Sequence, residues 1–115
     1  MFRLDFEPRR LAQDITVETR GNVLIVNGEE WDFDPMEDGD VLEPELLGSP
    51  WWLFGAVEQI DGVIHIRMVL PHGPYAPETR RFPNGRNVTK DGVVSLPGKY
   101  DGDWPNAGNR LDAET

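Results

Sequence analysis

The sequence predicts an all-β domain, a small antiparallel β-barrel or β-sandwich of about seven short strands. Three observations predict it. Apolar and polar residues alternate with period two in short runs, as in Phe2-Arg3-Leu4-Asp5-Phe6 and Ile64-His65-Ile66-Arg67-Met68. Turn-forming dipeptides separate such runs, notably Asn27-Gly28, Asp61-Gly62 and Asp91-Gly92. Their residues tolerate the positive φ of a type I′ hairpin turn. Ten prolines and twelve glycines among 115 residues argue against long helices.

Taken along the chain, the first strand covers residues 2–7 and is stopped by Pro8, which cannot donate to a ladder. A second alternation covers residues 15–19, and Arg20-Gly21-Asn22 turns it. Val23-Leu24-Ile25-Val26 is a continuous β-branched-rich run, expected as a central strand buried on both faces or at a sheet corner. Asn27-Gly28 returns the chain into residues 29–33, with Trp31 and Phe33 on one face. Asp34-Pro35 then opens an acidic loop. Within it, Leu42-Glu43-Pro44-Glu45-Leu46-Leu47-Gly48 reads as a single helical turn, with proline early and glycine just past its end. A long hairpin over residues 51–70 turns at Asp61-Gly62. Its return strand places Ile64, Ile66, Met68 and Leu70 on the core face. Pro71, Pro74, Pro77 and Pro83 stiffen the loop that follows. A last hairpin is expected over residues 87–96.

This pattern defines a compact β-domain over residues 1–97 and an extended C-terminal arm over residues 98–115. The arm has no periodicity and is rich in Gly, Asp and Asn. Tyr100 and Trp104 stand out there, because large aromatics in such a segment need a surface to rest on. The absence of cysteine excludes a disulfide scaffold and thiolate zinc sites. The N-terminus lacks the apolar core of a secretory signal. No run approaches the length of a membrane helix, so no membrane role is expected.

The net charge is −10, which argues against direct nucleic-acid binding. Its layout is segregated. No Lys or Arg falls between Arg20 and Arg67, where acids crowd residues 29–45. The balance reverses from Arg67 to Lys90. Pairing of the two halves, within one molecule or between neighbours, is one expectation, and a solvated acidic face is the simpler one.

Catalytic chemistry finds no support in the residues. His65 and His72 have no second ligand or base partner at a recognisable spacing. Asp32, Asp34, Asp38, Asp40 and Glu43 suggest a calcium loop, but Met36 falls on a ligand position and Glu37 on the required glycine. No nucleophile elbow, phosphate loop or dinucleotide fingerprint occurs. The expectation is a non-enzymatic protein with no metal, no cofactor and no small-molecule substrate. Candidate partner-binding residues are Arg80, Arg81 and Phe82 in the proline-rich loop, and Tyr100 and Trp104 in the arm. Strand alternation puts one ring of Trp51-Trp52 in the core and the other on the opposite face, with Trp52 as the candidate contact.

The segments Asn27-Gly28-Glu29, Trp31-Asp32-Phe33-Asp34, LEPELL, IDGVIHI and above all LPHGPYAPETRRFP (residues 70–83) together resemble small proteins of unknown activity. Those proteins are encoded by phages and prophages near tail genes. The resemblance covers residues 1–97 by pattern, leaves the tail unmatched and transfers no functional residue. It implies a phage-encoded structural or accessory protein of the virion tail or baseplate, bound to other tail proteins or to itself. Its location would be the virion, or the host cytoplasm during assembly. Two alternatives stand beside it. One is a host-directed inhibitor whose acidic surface mimics nucleic acid, and the other a tail-fibre assembly chaperone absent from the finished particle.

Overall fold

Alternation of side chains above and below each strand gives most of this sequence one apolar face, and two such faces close on each other. The computed structural model describes residues 1–101. It is a β-sandwich of two sheets with one short helix and one 3-10 turn. Among the described residues no helix is long and apolar enough to cross a membrane.

The strands are β1 (Phe2–Arg10), β2 (Val17–Arg20), β3 (Val23–Val26), β4 (Glu29–Asp32), β5 (Val41–Leu42), β6 (Val57–Ile60), β7 (Val63–His72), β8 (Arg86–Val88) and β9 (Gly92–Val93). A 3-10 turn covers Pro44–Leu47, and helix α1 covers Glu78–Arg81. The larger sheet has the order β5-β6-β7-β1-β8, the smaller β4-β3-β2-β9. Phe2, Leu4, Ile64, Ile66, Met68 and Leu70 from the first sheet meet Val17, Leu24 and Val26 from the second. Phe33 packs edge-on against Phe2, with ring centroids 6.2 Å apart.

The expected turns at 27–28, 44–48 and 61–62 are present. Asn27 and Gly28 have φ of 49° and 85°, and Asp61 and Gly62 have 49° and 79°, the backbone a type I′ turn requires. The turn at 44–47 has proline in its first position and a left-handed Gly48 at its end.

Four expectations are corrected. The central pair of the larger sheet, β1 with β7, is parallel, in register from Phe2 opposite Ile64 to Arg10 opposite His72. Period-two alternation is the same for either strand direction, so an all-antiparallel reading had no means of detecting this pair. Pro8 does not stop β1. Ile64 donates to Met1 O and Leu11 to His72 O, so odd-numbered residues of β1 bond to β7. The Pro8 nitrogen therefore faces the other side, where β8 pairs only Phe2 to Leu4 and no donor is missed. Strand β3 is central but one-sided: Leu24 and Val26 are buried while Val23 and Ile25 are half-buried.

The last expected hairpin does not form. β8 pairs with β1, and β9 crosses over to pair with β2 in the other sheet. The crossing is held by Thr19 Oγ1 donating to Lys90 O at 3.1 Å and by Asp91 Oδ1 accepting from Gly21 N at 2.8 Å. Asp91 thus braces a neighbouring turn instead of making its own. The arm expected from residue 98 begins docked. Tyr100 Oη donates to Leu11 O at 2.7 Å, and the Asp101 carboxylate accepts from the N–H groups of Gly73 and Tyr75. Trp104 and the remainder of that arm lie outside the described residues.

Candidate functional site

The sequence Pro-Glu-Leu-Leu-Gly-Ser-Pro-Trp-Trp over residues 44–52 reverses direction twice. Gly48 and Ser49 both have positive φ, 79° and 47°, and Ser49 N donates to Pro44 O at 2.9 Å. Residues 50–53 then form a turn closed by Leu53 N donating to Pro50 O at 3.1 Å. In a turn, strand alternation no longer decides which side chain faces inward. Trp52 drives into the core and is 1% exposed. It meets Trp31 edge-on, with centroids 5.0 Å apart and planes at 81°. The Trp31 indole N–H reaches Leu47 O at 3.4 Å. Trp51 is the ring left outside, 41% exposed. The expectation that Trp52 forms the contact face is therefore corrected: Trp52 is buried, and Trp51 is the exposed ring of the pair.

Between this turn and the β3–β4 hairpin lies a groove of about 410 Å³, with Trp31, Trp51, Leu47 and Pro50 along its apolar wall and Glu29 and Glu30 along its rim. Glu30 pairs with Arg20 at 2.9 Å, and both side chains are more than half exposed. The Glu29 carboxylate has no ion pair or hydrogen-bond donor among the described residues. Sequence reasoning missed this site because its wall is assembled from two separate turns. The Pro-Gly punctuation at 44–50 was its visible trace.

The residues expected in the proline-rich loop divide. Arg80 is not at the surface. Helix α1 carries it inward to 2% exposure, where Nε donates to Pro71 O at 2.8 Å and Nη1 to Pro97 O at 3.3 Å. Its Nη2 pairs with Asp14 at 2.7 Å, and the guanidinium carbon lies 5.9 Å from the Tyr100 ring centre. Burial pulls the Arg80 pKa down, and Asp14 opposes that shift first, followed by Tyr100 and Asp101. Arg80 is thus a structural hub joining residues 14, 71 and 97, and its expected role as a partner contact is corrected. Its neighbours remain outside. Phe82 is 70% exposed, with the Arg81 guanidinium 5.8 Å from its ring centre. Tyr100 is half-buried against the body of the domain.

Four aspartates of the acidic segment brace turns, their own and neighbouring ones. Asp32 accepts from Asp34 N, Asp34 from the Asn22 amide, and Asp40 from Glu37 N, at 2.9, 3.1 and 2.9 Å. Asp38 Oδ1 accepts from Gln59 Nε2 at 3.0 Å and Gly62 N at 2.8 Å. Those two bonds, Gln59's first, hold the Asp38 carboxyl below the usual carboxylate range. Among the described residues the ion pairs are Arg3 with Asp5, Arg20 with Glu30 and Arg80 with Asp14. None joins the acidic segment to the basic loop.

Among the described residues no three His, Asp or Glu side chains converge on a metal position. His65 lies on the outer face of the larger sheet, opposite Glu58 on one side and Arg3 on the other. His72 Nδ1 is 2.9 Å from Gly73 O, and a carbonyl can only accept, so that nitrogen carries the proton. Comparison with protein families, with curated proteins and with solved structures finds no match to this chain.

Proposed function

We propose that the protein is a non-enzymatic interaction domain of the phage-tail type, which docks other components of an assembly on the groove beside Trp51. One observation carries the reading. A tryptophan, the one exposed among the described residues, stands 41% exposed beside a groove of about 410 Å³ that it helps to line. Tryptophan and arginine dominate the energetics of protein interfaces. Arg81 with Phe82 supplies a second contact of the same chemistry. The phage-tail context rests on the sequence resemblance over residues 1–97. Within residues 29–45, Asp32, Asp34, Asp38 and Asp40 are taken up as acceptors for backbone and amide donors, which supports docking over nucleic-acid mimicry.

The test is a pull-down from phage-infected or prophage-induced cells with the full chain, with Trp51→Ala and with an Arg81→Ala/Phe82→Ala double variant. Capture of tail components by the full chain, lost with Trp51→Ala and reduced in the double variant, is the expected outcome. Equal capture by all three proteins would overturn the reading, as would capture of no assembly component. Mass spectrometry of purified particles separates a resident tail protein from an assembly chaperone.

A further inference from the structure

We infer that the groove beside Trp51 recognises a basic, extended segment of a partner protein, with an arginine or lysine side chain stacked on the Trp51 ring and paired with Glu29. The inference rests on the docking reading above and names its partner chemistry. Three features of the groove converge on a cation. Trp51 lines the groove and is 41% exposed, and tryptophan is the strongest aromatic acceptor of a cation on its ring face. The Glu29 carboxylate borders the same groove with no ion pair or hydrogen-bond donor among the described residues. The competing positive charge is remote in sequence and loosely held. No Lys or Arg occurs between Arg20 and Arg67, and among the described residues Arg20 pairs with Glu30, in an exposed pair.

The backbone beside the groove suits an extended occupant. Strand β4, which contributes Glu29, Glu30 and Trp31 to the groove, is the outer strand of its sheet. Alternate N–H and C=O groups of an edge strand face outward and can take up an added strand. A guanidinium fits the site better than an ammonium, because its plane stacks on the ring while its edge donates to a carboxylate. The net charge of −10 adds long-range attraction for such a segment, but only the Trp51 and Glu29 contacts are local.

The experiment is a titration of the full chain with blocked hexa-arginine, followed by tryptophan fluorescence and by the indole N–H resonance of Trp51. Hexa-lysine and hexa-glutamate serve as comparisons. The expected result is saturable binding that shifts the Trp51 resonance, weaker for hexa-lysine and absent for hexa-glutamate. Trp51→Ala and Glu29→Gln, both at exposed positions, each weaken it about three- to tenfold. Equal affinity of wild type and both variants would assign the binding to diffuse charge and overturn the inference, as would the absence of saturable binding. The docking reading is judged separately. If hexa-arginine fails while Trp51→Ala still loses its captured partners, docking stands and the cationic occupant is wrong. If Trp51→Ala keeps its partners as well, both fall.

Discussion

Replacing Arg80 by methionine tests the claim that this arginine is a hub of the fold and not a contact for partners. Methionine fills much of the same volume without hydrogen-bonding capacity. The bond to Pro71 O is short, at 2.8 Å, and a charged donor to a buried carbonyl contributes about 1.5–3 kcal/mol. The longer bond to Pro97 O, at 3.3 Å, contributes about 0.5 kcal/mol. The Asp14 side chain is 49% exposed and regains water when its partner leaves, so that pair contributes below about 1 kcal/mol. Relief of the desolvated guanidinium returns about 1 kcal/mol. The net loss is about 2–3 kcal/mol, and for a domain of this size each kcal/mol moves Tm by about 4–8 °C. Arg80→Met is therefore expected to lower Tm by about 10–20 °C, read by circular dichroism. Hydrogen exchange should show the change spreading to Gly73 and Tyr75, whose amides are held by Asp101 four residues after Pro97. Arg80→Lys should recover less than half the loss, because an ammonium on a flexible stem cannot span the three acceptors. A Tm drop below about 3 °C for Arg80→Met would refute the hub, since it would mean the three acceptors are satisfied without it.

Three further outcomes follow from other parts of the molecule. Trp52→Ala should cost about 3–5 kcal/mol in urea unfolding, while Trp51→Ala costs under about 1 kcal/mol; similar costs would contradict the assignment of one ring to the core and the other to the surface. Gly73→Ala should displace Asp101, because a Cβ there would lie 2.6 Å from its Oδ1 and 2.8 Å from its carbonyl oxygen. Combined with Asp101→Ala it should destabilise little more than either change alone, as a double-mutant cycle would reveal. The Asp38 carboxyl is held below its ordinary 3.8 by Gln59 and Gly62, so its contribution is fully present above that value. It is lost as pH falls through the lower folded value. Asp38→Asn should remove this part of the acid sensitivity in unfolding measured across that range, and an unchanged acid limb would count against the clamp.

Local rules made much of this fold legible in the sequence. Asn27-Gly28 and Asp61-Gly62 specify type I′ turns because their backbone demands positive φ at both positions, and both turns formed. The alternation from Ile64 to Leu70 identified one buried face correctly, since a period of two is a property of the strand itself. Pro44 and Gly48 bracketed the short helical turn through their own dihedral preferences. Each of these signals lies within a few residues of the structure it dictates.

What remained hidden depends on partners distant in the chain. The direction of β1 against β7 is set by where the intervening residues 11–62 travel, and alternation carries no arrow. Pro8 is tolerated because a neighbouring strand stops short, a fact about β8 and not about residue 8. Arg80 lies in a charged stretch that reads as surface, and it is buried because Pro71, Pro97 and Asp14 converge on it from three segments. Trp51 and Trp52 are chemically identical neighbours, and the turn at 50–53 chose which one would be buried and which exposed. Period-two patterning and turn chemistry are encoded in adjacent residues and so survive in the bare sequence. Strand direction, the burial of a charge and the lining of a groove arise only where separate segments meet.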